Sequence, residues 1–196
     1  MCIEIENYKQ HDSFNYFDYN QIDTYAEDLI NTLLNNPEYN LKLNKRRVPV
    51  MEIAKVLGFN IYTTKFNDYN IKATIGISNQ LIDKYKSNKV IILSNEYTDE
   101  EILFSLCHEL AHYIYDSNPS NEYSHTYRIN DIELGAIRFA DALLMPLTSF
   151  KEAYTELSHN INNPELLIRA LSDTFNAPQG AVERRIKQVI NTYKNH

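Results

Sequence analysis

Cysteine is scarce in this sequence: Cys2 and Cys107 are the only two among 196 residues. Two thiols so far apart cannot form a disulfide framework, and the low count fits a reducing compartment. Long apolar runs are missing too. None approaches the roughly 20 residues that a membrane-spanning helix needs, and the mean hydropathy is -0.45. Positive charge is in deficit, with 19 Lys and Arg against 26 Asp and Glu, a net charge of -7 and a pI near 5.4. That balance argues against a protein that lives on phosphate backbones. The first residues, MCIEIENYKQHDS, lack both the basic segment and the apolar core of a secretory signal. A soluble, cytoplasmic protein is expected, with no membrane partner. At 43% hydrophobic and 23% charged residues the composition is that of a globular chain, which excludes wholesale disorder.

The hydrophobic pattern divides the chain into an N-terminal arm and helix (1–44), a central domain (45–150) and a C-terminal helical piece (151–196). Residues 1–20, rich in Tyr, Asn and Asp, read as an irregular arm. Ile22, Tyr25, Leu29, Ile30, Leu33 and Leu34 recur at helical spacing up to Pro37. Pro49 opens a short helix that Gly58 is placed to close. Strands are expected at 59–63, 71–77 and 90–93, where β-branched and aromatic residues concentrate. Thr98 and Glu101 form a capping box that starts a helix running to about Tyr115. The polar stretch 116–130 is expected as a loop, and a second helix runs from about Asp131 to Leu144, stopping before Pro146. Helices at about 164–175 and 178–193 meet at a tight corner, Phe175-Asn-Ala-Pro-Gln179.

His108-Glu109-Leu110-Ala111-His112 carries the chemistry. Residues four apart on a helix share a face, with Cβ atoms about 5–6 Å apart. Two imidazoles so placed can close on one Zn²⁺, and Glu109 at the edge of the same site can take a proton from a bound water. The helix is amphipathic through Ile102, Leu103, Leu106, Cys107, Leu110 and Ile114, so it belongs to a core.

A third protein ligand is required. A second His-x-x-Gly-x-x-His arm is excluded, because Tyr115 and Asn118 occupy its positions. Glu133 is the best candidate, since it lies on the apolar face made by Ala136, Ile137, Ala140 and Leu144, where an ionised carboxylate is costly without a compensating cation. Asp131, Asp116 and Glu122 are its rivals in less apolar surroundings. Asp141, two turns beyond Glu133, reads as a solvated charge, with support of a ligand imidazole as the second possibility. Cys107 falls on the core face and is expected to be a buried, inert thiol.

The order of apolar strand, FSLCHELAHYIY, polar loop and ELGAIRFADALLMP resembles the ImmA/IrrE family of zinc-dependent metallopeptidases, over roughly residues 45–190. Glu133, Ala136, Phe139, Ala140, Leu143, Leu144, Met145 and Pro146 match the family's second helix. The resemblance implies an α+β fold with a zincin-like core: a small β-sheet, the His-Glu helix and the Glu-bearing helix, plus a C-terminal helical subdomain like a helix-turn-helix. It implies that His108, His112 and Glu133 bind zinc and that Glu109 is the general base. It further implies cleavage of a cytoplasmic regulatory protein, commonly a helix-turn-helix repressor of a mobile element, phage or stress response. Two positions depart from the pattern. Ile137 replaces the family's usual Asn, and Ala111 its common Gly.

A donor for the developing oxyanion is also needed. His125 and Tyr127, with Tyr123 and Arg128, lie in the 116–130 loop, and the motif singles out none of them. Arg184, Arg185 and Lys187 on the last helix are the cations that a DNA-binding reading would use, yet Glu183 and the acidic whole argue against a nucleic-acid partner. Two alternatives to the peptidase therefore stand: a regulator that binds a repressor without cutting it, and a DNA-binding regulator acting through the C-terminal helices.

Overall fold

The computed structural model describes residues 19–116 and 129–194. Helix α1 (Tyr19–Asn35) is followed by α2 (Val50–Val56), strand β1 (Asn60–Thr64) and strand β2 (Ala73–Ile77). A 3-10 turn at Asn79–Leu81 and the short helix α3 (Ile82–Tyr85) lead to strand β3 (Lys89–Ser94). Then come α4 (Asp99–Asp116), α5 (Ile129–Leu144), α6 (Leu147–Ser158), α7 (Pro164–Phe175) and α8 (Gln179–Lys194). The fold is α+β.

Local chemistry explains most boundaries. Helix α2 ends in a Schellman arrangement: Gly58 takes φ 89°, its N–H bonds Lys55 O, and Phe59 N–H bonds Ala54 O. Helix α4 opens on the expected box, with Thr98 N–H donating to Glu101 Oε2 and Glu101 N–H to Thr98 Oγ1. The Glu101 carboxylate also holds Lys72 at 2.6 Å, which ties the start of α4 to the approach of β2. Asn176 ends α7 in the left-handed region, at φ 54°.

Helix α6 is absent from the sequence-based expectation. Its apolar positions Leu147, Phe150, Ala153, Tyr154 and Leu157 keep a helical spacing, and Phe150 and Ala153 are buried.

The sheet has the order β1-β3-β2, with β1 parallel and β2 antiparallel to β3. Ile91 and Leu93 of the central strand are buried, with the half-buried Ile61, Ala73 and Ile75 beside them. Helix α4 packs on β2 and β3, α5 packs on α4, and α1 and α8 pack on α5. On the opposite face of β2, a Cβ at Gly76 would meet the Leu81 side chain at 3.1 Å, so the 3-10 turn closes over that strand. One core runs from Ile22 through Leu106 and Phe139 to Val189.

Candidate metal centre

The site is assembled by two helices and one strand. Leu106, Cys107, Leu110, Ala111 and Ile114 of α4 are buried, and that anchoring turns His108 and His112 together toward α5. Their Nε2 atoms lie 3.1 Å apart. On α5, buried Ala136, Phe139, Ala140 and Leu143 fix the rotation that aims Glu133 at the pair. Its Oε2 is 3.2 Å from His108 Nε2 and its Oε1 is 3.5 Å from His112 Nε2.

These three residues form a cluster that could hold a metal ion, with all ligand atoms within 4.8 Å of one another. The spacing fits zinc: bonds of about 2.0–2.1 Å in tetrahedral coordination place neighbouring donor atoms about 3.3 Å apart. The donor chemistry fits as well. Burial, then the neighbouring His112, holds the His108 imidazole below its ordinary value, so its nitrogen offers a lone pair at neutral pH. Glu133 is half exposed, contrary to its expected apolar setting, so it is the convergence of the three donors and not the burial of the carboxylate that suits a cation.

Glu109 lies about 100° around α4 from His108, on the side toward β2. Its carboxylate accepts a hydrogen bond from the Ile75 backbone N–H. Burial pushes the Glu109 carboxyl up, opposed by His112 and by the Ile75 N–H. Sequence reasoning did not anticipate this strand contact, because no residue type marks a backbone donor.

Asp141 corrects its expected role. It is fully buried rather than solvated, and among the described residues the partners of its carboxylate are on α8 and include no imidazole. Arg184 of α8 grips it from two sides, Nε to Oδ2 at 3.0 Å and Nη2 to Oδ1 at 2.9 Å. Arg185 likewise turns inward, to Asp23 of α1 at 2.6 Å and to Met145 O at 3.0 Å. Both arginines are therefore engaged with this chain's own carboxylates, Arg185 fully buried and Arg184 still partly open to solvent, while Lys187 is exposed. A clue was present in the sequence: Asp141 lies among Ala140, Ala142 and Leu143 on a helix apolar nearly all round.

Cys107 is completely buried, as expected, and burial together with Asp141 raises its thiol far above the ordinary value. His125, Tyr127, Tyr123, Arg128 and Glu122 lie outside the described residues, as do the Asp116 and Asp131 side chains. Among the described residues no helix is long and apolar enough to cross a membrane.

Residues 54–187 match the family model of a peptidase group described as the IrrE N-terminal-like domain. No curated protein matches the chain. Among solved structures it is similar to a Mycobacterium tuberculosis transcriptional regulator, at a TM-score of 0.56 and 15% identity. The match covers 91% of this chain and 49% of the regulator, so this chain spans about half of that protein's length. At that identity the likeness concerns the fold.

Proposed function

The chain belongs to the peptidase family of the IrrE N-terminal-like domain, and from that premise we propose that it is a zinc-dependent endopeptidase with a zincin-like core. The observation that carries this reading is the donor triangle of His108, His112 and Glu133, with edges of 3.1, 3.2 and 3.5 Å, beside a carboxylate on the adjacent residue. His108, His112 and Glu133 would hold the ion. Zinc bound there supplies Lewis-acid polarisation of the scissile carbonyl and acidifies the attacking water.

The protein's own groups perform the proton transfers. Glu109 takes a proton from the attacking water as its oxygen bonds the carbonyl carbon. It then delivers that proton to the amide nitrogen as the C–N bond breaks. Ile75 N–H keeps the carboxylate at the edge of β2, and burial makes it a stronger base than an exposed glutamate. His125 and Tyr127 are the proposed oxyanion donors.

The substrate class follows from the resemblance to the ImmA/IrrE family: a cytoplasmic helix-turn-helix repressor of a mobile element, phage or stress response. The name of the similar solved structure, a transcriptional regulator, accords with a regulatory setting. The test is co-expression of the chain with helix-turn-helix repressors encoded beside its gene, wild type against Glu109→Gln. Cleavage by wild type alone supports the enzyme. Stable binding by both proteins with no cleavage by either would replace it with a non-cutting regulator.

A further inference from the structure

The faces of α4 and α5 that carry the three ligands lead on to α8, whose Arg184 touches both helices. On α4, Phe104 precedes His108 by one turn and lies on the same face, about 6 Å along the axis. On α5, Glu133, Ile137 and Asp141 follow one another at four-residue steps along one face, about 12 Å in all. Arg184 reaches both Phe104 and Asp141 while His108 and His112 face Glu133, so α4 and α5 run in opposite directions. Helix α8 crosses at the Asp141 end, where Arg184 lies over the Phe104 ring, 5.2 Å from its centroid.

Two features separate Arg184 from an ordinary buried counterion. Asp141 is 0% exposed, whereas the Arg184 side chain is 42% exposed, so the pair turns its positive end outward. The two hydrogen bonds to Asp141 use Nε and Nη2, and among the described residues Nη1 bonds none. The bidentate grip and the Phe104 ring hold the guanidinium in one place, so presenting Nη1 to a ligand costs little further side-chain entropy. On the helix faces between this cation and the ligand cluster stand Phe104 and Ile137, both half-buried, an apolar step.

We propose that Arg184 is a specificity-determining residue, selecting substrates that carry a carboxylate about two to four residues from the scissile bond. The spacing comes from the 6–12 Å helical offsets divided by about 3.3 Å per residue of extended peptide. The chemistry comes from a fixed guanidinium on a side chain 42% exposed, which favours a carboxylate over its amide. The inference rests on the peptidase reading given above and adds a substrate feature to it.

The test uses the full chain loaded with zinc and short peptide hydroxamates, in which the hydroxamate binds the metal whether or not the protein cleaves anything. Pairs differ only by Glu or Gln at the second, third or fourth residue, with the hydroxamate at either end of the peptide. Titration calorimetry should show wild type binding one Glu peptide about tenfold tighter than its Gln partner, the scale of one charge-assisted hydrogen bond. The ratio should fall toward one in Arg184→Gln. Because that change alone leaves Asp141 short of a cation, the double variant Arg184→Gln with Asp141→Asn removes both charges together and must show the same loss. Equal binding of every Glu and Gln pair by wild type overturns the proposal and leaves the peptidase reading standing. A preference that survives in both variants also overturns it, as does failure of every hydroxamate to bind. Discrimination without any repressor cleavage would instead count against the peptidase reading while keeping the role of Arg184.

Discussion

Arg185 of α8 meets Asp23 of α1 at 2.6 Å, and both side chains are almost wholly removed from solvent. The contact joins two helices more than 150 positions apart in sequence. Such a pair need not exceed a hydrophobic substitute in stability, but removing one member strands the other. Asp23→Ala should therefore cost about 3–5 kcal/mol by leaving Arg185 buried and unpaired. Arg185→Met should cost less at acid pH than at neutral pH. Burial already raises the Asp23 carboxyl and Arg185 opposes the rise, so without Arg185 the folded chain holds that proton more tightly. A group whose folded value exceeds its unfolded one adds stability at low pH and loses it as pH rises. Urea unfolding of the three proteins at two pH values checks both statements.

Asp141 gives a second, independent pH effect. Burial pushes its carboxyl up to about 6 against the opposition of Arg184, compared with about 4 in an unfolded chain. The folded protein takes up a proton there between about pH 6 and pH 4, so this group's contribution falls as pH rises through that window. Asp141→Asn should flatten this part of the stability profile between those limits. An unchanged slope in urea titrations of the variant would show that the proton resides elsewhere.

The metal reading makes a direct claim about composition. Wild type should hold about one equivalent of zinc, and His112→Ala and Glu133→Ala should each lose it, because three protein ligands are the minimum for a catalytic site. Glu109→Gln should keep the metal and lose activity, since it changes the base and leaves the three ligands in place. Chelation should lower the melting temperature of wild type but not of His112→Ala, as a ligand present at 100 times its Kd stabilises by about 2.7 kcal/mol. Elemental analysis alongside differential scanning fluorimetry reads all of these.

The uneven legibility of the chain has physical causes. That His108, His112 and Glu133 come together was legible because a helix converts a spacing of four into a shared face, whereas Glu133 is half exposed and the apolar-face argument for it does not hold. The three strands and the capping box at Thr98 were legible for the same local reason. What escaped was long-range. Whether Arg184 and Arg185 point at DNA or at Asp141 and Asp23 depends on how α8 docks on α5 and α1, which no local pattern encodes. Helix α6 escaped differently, since Pro146 suggested a stop and its role as the residue preceding a new helix went unread.

Cys107 should resist alkylation in the native protein. It is buried completely, and both burial and Asp141 disfavour its thiolate. Iodoacetamide labelling followed by mass spectrometry should show modification of Cys107 only at the rate at which the protein unfolds. Rapid native labelling would place that residue in a far more open setting than the core beside His108.

Ile75 offers a test of the catalytic base through the backbone alone. Ser94 N–H bonds Lys72 O and Ser78 N–H bonds Asn88 O at the two ends of the β2–β3 pairing, whose register pairs Ala73 with Leu93 and Ile75 with Ile91. Alternation along an antiparallel ladder then points the N–H groups of Ala73, Ile75 and Ile77 away from β3, toward the free edge. The Ile75 N–H spends its outward bond on Glu109. Proline at such an outward position deletes a donor without removing a ladder bond. Ile75→Pro should therefore loosen Glu109 and lower kcat by about tenfold, the scale of one hydrogen bond to a charged group, with KM little changed. Ala73→Pro, the same disturbance one pleat earlier, should leave kcat alone. In wild type, the Ile75 amide should exchange with solvent more slowly than those of Ala73 and Ile77, and Glu109→Ala should remove that protection. Equal exchange at the three amides would show that the Ile75 N–H does not hold the carboxylate.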